Sequence, residues 1–360
     1  MSPVKVEDYD SIVNAINRKY TKELVHRGND LVRLPSISTG SPEMDVAMGG
    51  GVPQGRWTRF FGGYGSTKTL TAYAVIAQAQ KMGLMAAYYN IERRYEETLA
   101  QRLGINTDEL TLVEGTTIEE ITEKMESLLG VVHLHVLDST SMADSEDALA
   151  ADIRDWRPGI LARVWGKAFK RLNERFDQTE NTAIIIQQMR QQKKGGGRNA
   201  EWIEDAEGGR VFDHVSSMSV LFRTGSWLWR AEQGGFSDGG DKSPKLETSK
   251  TDSVDKQMVP QGREIKIRVE KSSVCRPFRT ATLHYDLDTL EYDRVGEYSR
   301  AGIYYGIIRQ NGAFYTYADA DGEATKLHGI KQVRKFVEEN PSIQEYIREV
   351  ALDANAEDNR

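Results

Sequence analysis

The sequence of 360 residues contains one cysteine, Cys275. An internal disulfide framework and any zinc site built from several cysteines are therefore excluded. No apolar run approaches the roughly 18–20 residues that a membrane-spanning helix needs. The N-terminus, MSPVKVEDYD, is polar and acidic, unlike a secretory signal. An excess of positive charge is also missing: 47 Lys and Arg stand against 54 Asp and Glu, a formal net charge of −7. That argues against a protein that coats nucleic acid through bulk charge. A local basic channel stays open, because binding depends on where the charge lies. These absences predict a soluble protein of a reducing, cytoplasmic compartment, with no membrane partner.

Hydrophobic residues make up 39% and charged residues 28% of the chain, which supports a sizeable core and excludes wholesale disorder. At roughly 100–200 residues per domain, the length suggests two or three domains. Residues 5–20 carry Val13, Ile16 and Tyr20 at helical spacing. This short amphipathic helix would pack on its own domain or on a neighbouring subunit. From about Leu31 to Arg223, strand and helix patterns alternate. WTRFF (57–61) reads as a strand ending in a glycine loop, and Lys68 to Lys81 as a helix. MAAYY (85–89), LTLV (110–113), VVHLHVL (131–137) and TAIIIQ (182–187) read as short strands with helical segments between them. The alternation predicts an α/β fold with a mainly parallel sheet covered on both faces. Residues 232–262 are rich in Gly, Ser, Asp and Lys, which predicts a long mobile loop. The sheet resumes at EIKIRVE, where Ile265, Ile267 and Val269 alternate with Lys266 and Arg268. A strand at GAFYTY (312–317) and a helix over Gly329 to Val350, interrupted at Asn340-Pro341, predict a small α/β appendix from about residue 300.

The most informative residues are Gly62-Gly63-Tyr64-Gly65-Ser66-Thr67-Lys68-Thr69, with a strand before them and a helix after. This is the setting of a phosphate-binding P-loop. Glycines let consecutive backbone N–H groups turn toward phosphate oxygens, and the helix N-terminus adds a favourable dipole. Lys68 would reach the β- and γ-phosphates of ATP, and the Thr69 hydroxyl would ligate Mg²⁺. The pattern is imperfect: Thr67 stands where glycine normally precedes the lysine, and a β-branched residue restricts the backbone there. A glycine-rich turn with an incidental Lys-Thr is the plain alternative. Asp138 ends the apolar strand HLHVLD, the position from which an aspartate holds the Mg²⁺ shell, although it could be an ordinary turn residue. Glu92 follows the strand MAAYYN and could orient the attacking water. Glu96 and Glu97 lie a turn further on; all three could instead form a solvated helix face.

In this order the segments resemble the RecA-type recombinases, of the phage kind. The resemblance spans nearly the whole chain. It is carried by ISTGSPEMDVAMGGGVPQGR (37–56) before the P-loop, the Glu92 region ending in LAQRLGIN (99–106), IIIQQMR (184–190), VEKSSVCRPF (269–278) and NGAFYTYADADGEATKLHG (311–329). It implies a RecA-type P-loop ATPase core over 36–298. An N-terminal helix and oligomerisation segment (1–35) would precede the core. A C-terminal domain that gathers double-stranded DNA (299–360) would follow it. Residue by residue, Lys68 and Thr69 match the phosphate lysine and the magnesium threonine. Glu92 matches the glutamate that activates water, and Asp138 the aspartate of the magnesium shell. Gln188 matches the glutamine that senses the γ-phosphate, and Lys271 a lysine supplied across the subunit interface. The implied protein is a DNA-dependent ATPase of a bacterial or phage-infected cell. It forms a homo-oligomeric helical filament on single-stranded DNA and catalyses homologous pairing and strand exchange.

Two stretches fall where the family's DNA loops lie. Residues 141–159 offer Arg154, Trp156 and Arg157, and the following helix offers Arg163 and Lys170. Residues 189–210 concentrate Arg190, Lys193, Lys194, Arg198 and Arg210 with glycines, Gly208 and Gly209 among them, and Trp202. A flexible basic loop with an aromatic suits contact with a single strand, and a solvated surface loop has the same composition. Its acidic half, Glu201 to Glu207, could gate binding. Departures from the family pattern are Thr67 and Ser273, the latter in place of a second interface lysine, with Arg276 nearby. Leu99 stands where an aromatic stacks on adenine. Tyr95, one turn earlier, fills that role only if the helix is rotated or shifted. Two alternatives follow: a nucleotide-responsive filament that hardly hydrolyses ATP, and a helicase-like ring motor of the same fold.

Overall fold

The computed structural model describes residues 34–150, 159–179, 181–194, 201–206, 210–230, 236–237, 260–319 and 323–357, with Ser11, Ala15 and Arg18, which are helical and exposed. Val13, Ile16 and Tyr20 lie outside the described residues, as does most of 232–259. The chain forms two compact units, Met1–Pro35 and Ser36–Arg360.

The larger unit opens with β1 (Ser36–Ile37), the helix Pro42–Met48 and β2 (Val52–Pro53), which pairs antiparallel with β1. The central sheet then takes β3 (Trp57–Gly62), β4 (Ala86–Asn90), β5 (Leu110–Val113), β6 (Leu134–Asp138), β7 (Thr182–Lys194), β8 (Glu201–Ala206), β9 (Met218–Arg230), β10 (Phe236–Ser237), β11 (Gly262–Ser272) and β12 (Thr280–Asp286). Its order is β12-β11-β9-β3-β7-β6-β4-β5, with β8 paired to β7 and β10 to β9. From β9 to β5 along this order every pairing is parallel; β11 and β12 are antiparallel.

Parallel strands are covered on both faces, so their sequences are continuous apolar runs whose side chains alternate between two cores. Ile184 and Ile186 point to one core with Phe60, Val136 and the buried face of the helix Lys68–Lys81 (Ala72, Val75, Ile76, Ala79). Ile185 and Leu137 point to the other, against Ile121 and Met125 of the helix Ile118–Leu128 and Trp165, Phe169 and Phe176 of the helix Ile160–Thr179. Fully burying one such side chain contributes roughly 1.5–3 kcal/mol. Local signals set the ends. The Thr117 side chain accepts a hydrogen bond from the Glu120 N–H at 3.2 Å, capping Ile118–Leu128. Gly83, at φ 76°, stops the chain just past Lys68–Lys81.

The helix Glu146–Ala150 lies within the loop expected at 141–159, and β10 and the first residue of β11 within the loop expected at 232–262; three further boundaries differ from the sequence reading. The strand expected at 131–137 starts at Leu134, because a turn through Gly130 leaves Val131 exposed. The strand at 182–187 continues to Lys194 and pairs with β8, so much of the basic loop expected at 189–210 is a two-stranded ribbon. The register sets Arg190 across from Asp205 and Lys194 across from Glu201. The third difference concerns the C-terminal boundary. The helix Arg294–Tyr304 spans residue 299 and leads into β13 (Ile308–Asn311), β14 (Phe314–Ala318) and β15 (Ala324–His328), an antiparallel sheet under the helix Gly329–Glu339, while the helix Pro341–Glu357 packs on the helices Arg294–Tyr304 and Pro42–Met48. This part has its own core of Ile308, Tyr315, Val333 and Val337.

Helix Arg294–Tyr304 is also tied back to the start of the unit. Ser41 Oγ donates to the Glu297 carboxylate at 2.6 Å and Arg300 pairs with Glu43 at 2.8 Å, while Arg348, on the helix Pro341–Glu357, pairs with Asp45 at 3.5 Å. Glu297 is fully buried, and its Oε1 has no hydrogen-bond partner. Burial first, then the neighbouring Glu43, pushes Glu297 up to about 8, against the pull of Ser41 and Arg300. Its folded value lies above the ordinary 4.5, so its stabilising contribution is complete below pH 4.5 and is lost as pH rises to about 8. Glu297→Gln removes that titration. Thermal unfolding from pH 5 to 9 should show the variant gaining on the wild type as pH rises toward 8; parallel curves would refute this assignment.

Candidate functional site

The C-terminal ends of the parallel strands converge on the P-loop. Register places Gly62 at the end of β3 beside Gln188 on β7 and Phe222 on β9, and Asn90 on β4 beside Asp138 on β6. A Cβ on Gly62 would lie 2.1 Å from the Phe222 carbonyl oxygen, so only glycine fits. Gly63 and Gly65 face open space: a Cβ at either would meet nothing within 4 Å. Tyr64 is exposed at the tip of the loop.

Lys68 is buried at the first turn of its helix. Its Nζ donates to the carbonyl oxygens of Gly62 (2.9 Å) and Gly63 (2.7 Å) and to Ser66 Oγ (3.1 Å). Burial pushes the ammonium down to about 8, while Asp138 and Glu92 pull it up. Thr69 Oγ1 donates to Asp138 Oδ2 at 2.9 Å, and Tyr88 donates to the same oxygen at 2.6 Å. Ser139 Oγ lies 2.9 Å from Asp138 Oδ1 and 3.0 Å from Glu92 Oε2. Gln188 Nε2 donates to Glu92 Oε1 at 3.4 Å. Thus Lys68, Thr69, Glu92, Asp138 and Gln188, read separately from four segments, lie in one connected cluster.

The set suits a magnesium nucleotide. Open glycines leave the backbone N–H groups accessible to phosphate oxygens, and Thr69 with Asp138 offers hard oxygen donors. Among the described residues no group of three or more His, Cys, Asp or Glu forms a metal cage. Phosphate-held Mg²⁺ needs only one or two carboxylates.

Glu96 and Glu97 are exposed, Glu97 in the first turn of the helix Glu97–Arg102, away from Asp138 and Gln188. Arg94, itself exposed, pairs with Glu92 at 3.0 Å. Tyr95 precedes that helix rather than riding on it, because Asn90 Oδ1 accepts from the N–H groups of Arg94 and Tyr95 and shapes the turn. Its ring packs beside Tyr88 (5.7 Å between centroids) and Tyr73 (6.2 Å). Lys271 stands apart from the cluster. Its Nζ donates to the carbonyl oxygens of Asp213 and Ser216, at the end of the helix Val211–Val215. Cations are favourable at helix C-termini. Asp213 also pairs with Arg59, a buried cation on β3.

Of the expected DNA contacts, Arg163 and Lys170 lie on the exposed face of the helix Ile160–Thr179, opposite Trp165, Phe169 and Leu172. Arg171 is drawn off to Glu126 at 2.5 Å. Arg190, Lys193 and Lys194 lie on β7 within the ribbon, and exposed Arg210 immediately precedes the helix Val211–Val215. Arg154, Trp156, Arg157, Arg198, Gly208 and Gly209 lie outside the described residues. Sequence reasoning missed Tyr88, Ser139, Arg59 and Tyr292, whose hydroxyl touches the P-loop. Ser139 was findable as the neighbour of Asp138. Tyr88, Arg59 and Tyr292 act through residues far away in the chain, so no local pattern marks them.

Comparison with known proteins bears on the whole length. The RecA N-terminal domain family matches residues 7–235. The chain is 29% identical over 350 residues to the Protein RecA of Arthrobacter sp. (strain FB24), covering 95% of this chain and 89% of that one. It is 30% identical over 327 residues to the Protein RecA of Bacillus licheniformis, covering 88% and 83%. To the Protein RecA of Campylobacter jejuni subsp. jejuni it is 28% identical over 354 residues, covering 96% and 93%. These relatives are bacterial, so the phage qualifier is not needed, and likeness at this length favours neither the weakly hydrolysing filament nor the ring motor. The chain belongs to the RecA family, the ATP-dependent recombinases of recombination and repair.

Proposed function

We propose that the chain is a DNA-dependent ATPase that polymerises on single-stranded DNA and pairs it with homologous double-stranded DNA. The observation that carries this reading is the junction of Glu92, Asp138 and Gln188 with the P-loop, Gln188 lying on the strand that runs on into a ribbon bearing Arg190, Lys193 and Lys194. Lys68 and the N–H groups of 63–69 bind the triphosphate. Thr69 and Asp138 would hold Mg²⁺, whose chemistry is to neutralise charge on the phosphates. Glu92 accepts a proton from water as the water oxygen bonds to the γ-phosphorus and the bond to ADP breaks. Gln188 lies between that carboxylate and the ribbon, and relays the state of the γ-phosphate to the DNA. Lys271, from the adjacent subunit, completes the nucleotide site. Arg163 and Lys170 extend the basic surface, with Arg154, Trp156, Arg157, Arg198, Gly208, Gly209 and Arg210 as further contacts. The C-terminal part gathers the duplex with the exposed Lys326, Lys331 and Lys335, the neighbouring Arg334 being paired with Asp293. A cytoplasmic location fits this work.

Imaging with single-stranded DNA, Mg²⁺ and a slowly hydrolysed ATP analogue tests the reading. Helical filaments are expected, and isolated molecules under all conditions would end it. Lys68→Ala should weaken ATP binding at least a hundredfold by calorimetry while leaving the circular dichroism spectrum unchanged. Glu92→Gln should lower DNA-stimulated phosphate release by about 10²- to 10⁴-fold, the usual range for loss of a general base, without loss of filaments. Gln188→Ala should still bind ATP, yet its affinity for single-stranded DNA, read by fluorescence anisotropy, should no longer respond to nucleotide. An unchanged response would remove Gln188 from the relay.

A further inference from the structure

Thr67 occupies a left-handed backbone conformation, φ 63° and ψ 14°, just before the helix Lys68–Lys81. Glycine enters this region freely, and a β-branched residue rarely does. Such a conformation persists only where the surroundings over-determine it. Thr67 does not cap the helix with its side chain. Its Oγ1 lies instead 2.6 Å from the Ser66 carbonyl oxygen and 2.7 Å from the Tyr292 hydroxyl. That hydroxyl lies 2.7 Å from Thr71 Oγ1, which donates to the Thr67 carbonyl oxygen at 2.9 Å.

Each hydroxyl carries one proton, so the donors can be assigned. Thr71 donates to the Thr67 carbonyl, Tyr292 donates to Thr71 Oγ1, and Thr67 donates to Tyr292, the one order in which both contacts of the Tyr292 hydroxyl carry a proton. The Thr67 carbonyl and hydroxyl are therefore both held, one through Thr71 and the other by Tyr292 directly. Tyr292 itself cannot drift. It lies between β12 and the helix Arg294–Tyr304, its ring packs on Tyr285 (6.0 Å between centroids), and burial pushes its phenol up to about 12, so the proton stays on.

We propose that Tyr292 is a positioning residue for the phosphate loop: its hydroxyl, with Thr71, holds Thr67 in the conformation otherwise left to glycine and so keeps the N–H groups of 66–69 aimed at a nucleoside triphosphate. This rests on the P-loop reading above. It explains how the chain departs from the glycine pattern and keeps the loop, and it makes Tyr292 and Thr67 a matched pair.

The test is ATP binding by calorimetry on the full chain, with unfolding temperatures measured in parallel. Tyr292→Phe keeps the ring and removes one hydroxyl; it should weaken ATP binding about tenfold, the scale of one buried hydrogen bond. Thr71→Ala should weaken it in the same direction. Adding Thr67→Gly to Tyr292→Phe should bring affinity back to within about twofold of wild type, because glycine needs no restraint. A merely structural role for Tyr292 would not be rescued at Thr67. Unchanged affinity in Tyr292→Phe, or a double variant as weak as the single, overturns the proposal. Lys68→Ala separates the two readings. If it loses ATP while Tyr292→Phe does not, only the positioning role falls; if it binds ATP like wild type, the phosphate site is wrong and the positioning role falls with it.

Discussion

Parallel hydrogen bonding of β3 to both β7 and β9 puts Gly62, Gln188 and Phe222 in one row. The rest of the site depends on that row. It brings the Phe222 carbonyl so close that the strand must end in glycine, and the chain turns there into the P-loop. It also sets the P-loop strand between the strand that leads into the basic ribbon and the strand that follows it. The return path is held from the same side: Arg59 on β3 grips Asp213, and Lys271 on β11 grips the carbonyl end of the same short helix.

A second organising feature is the Asp138 carboxylate. Thr69 on the helix Lys68–Lys81 and Tyr88 on β4 both donate to Oδ2, and the adjacent Ser139 lies against Oδ1, so its orientation is set from two other elements and from the next residue in the chain. Burial keeps the Tyr88 phenol protonated and therefore a donor. Ser139 Oγ also lies 3.0 Å from Glu92, so one hydroxyl sits between the two carboxylates. Fixed dipoles of this kind cost no reorganisation when charge develops.

Much of this was legible before any coordinates. Short continuous apolar runs such as TAIIIQ, alternating with helical segments, read as strands covered on both faces, and Gly62 to Thr69 between strand and helix read as a P-loop. Glu92 was separable from Glu96 and Glu97 by its place at a strand end. Other features were not legible, for a common reason. The ribbon of 189–194 and 201–206 sets Trp202 and Ile203 side by side among charged residues, so no apolar alternation announces it. Tyr292 is 225 residues from Thr67 in sequence, and Arg59 is 154 from Asp213; pairs at such separation leave no local trace. The end of the core was also hidden, because Glu297 belongs by sequence to the C-terminal helices and by contact to Ser41.

The unbroken run of β7 has a mechanical corollary. Six residues continue past Gln188 to Lys194, which at about 3.3 Å each is an arm of about 20 Å. Such a spar magnifies whatever happens at its root: tilting it by about 5° sweeps the far end through about 2 Å, for a rise of about 3.3 Å per residue. A side-chain adjustment too small to disturb the packed sheet is thus large enough, at the tip, to make or break a contact of hydrogen-bond length.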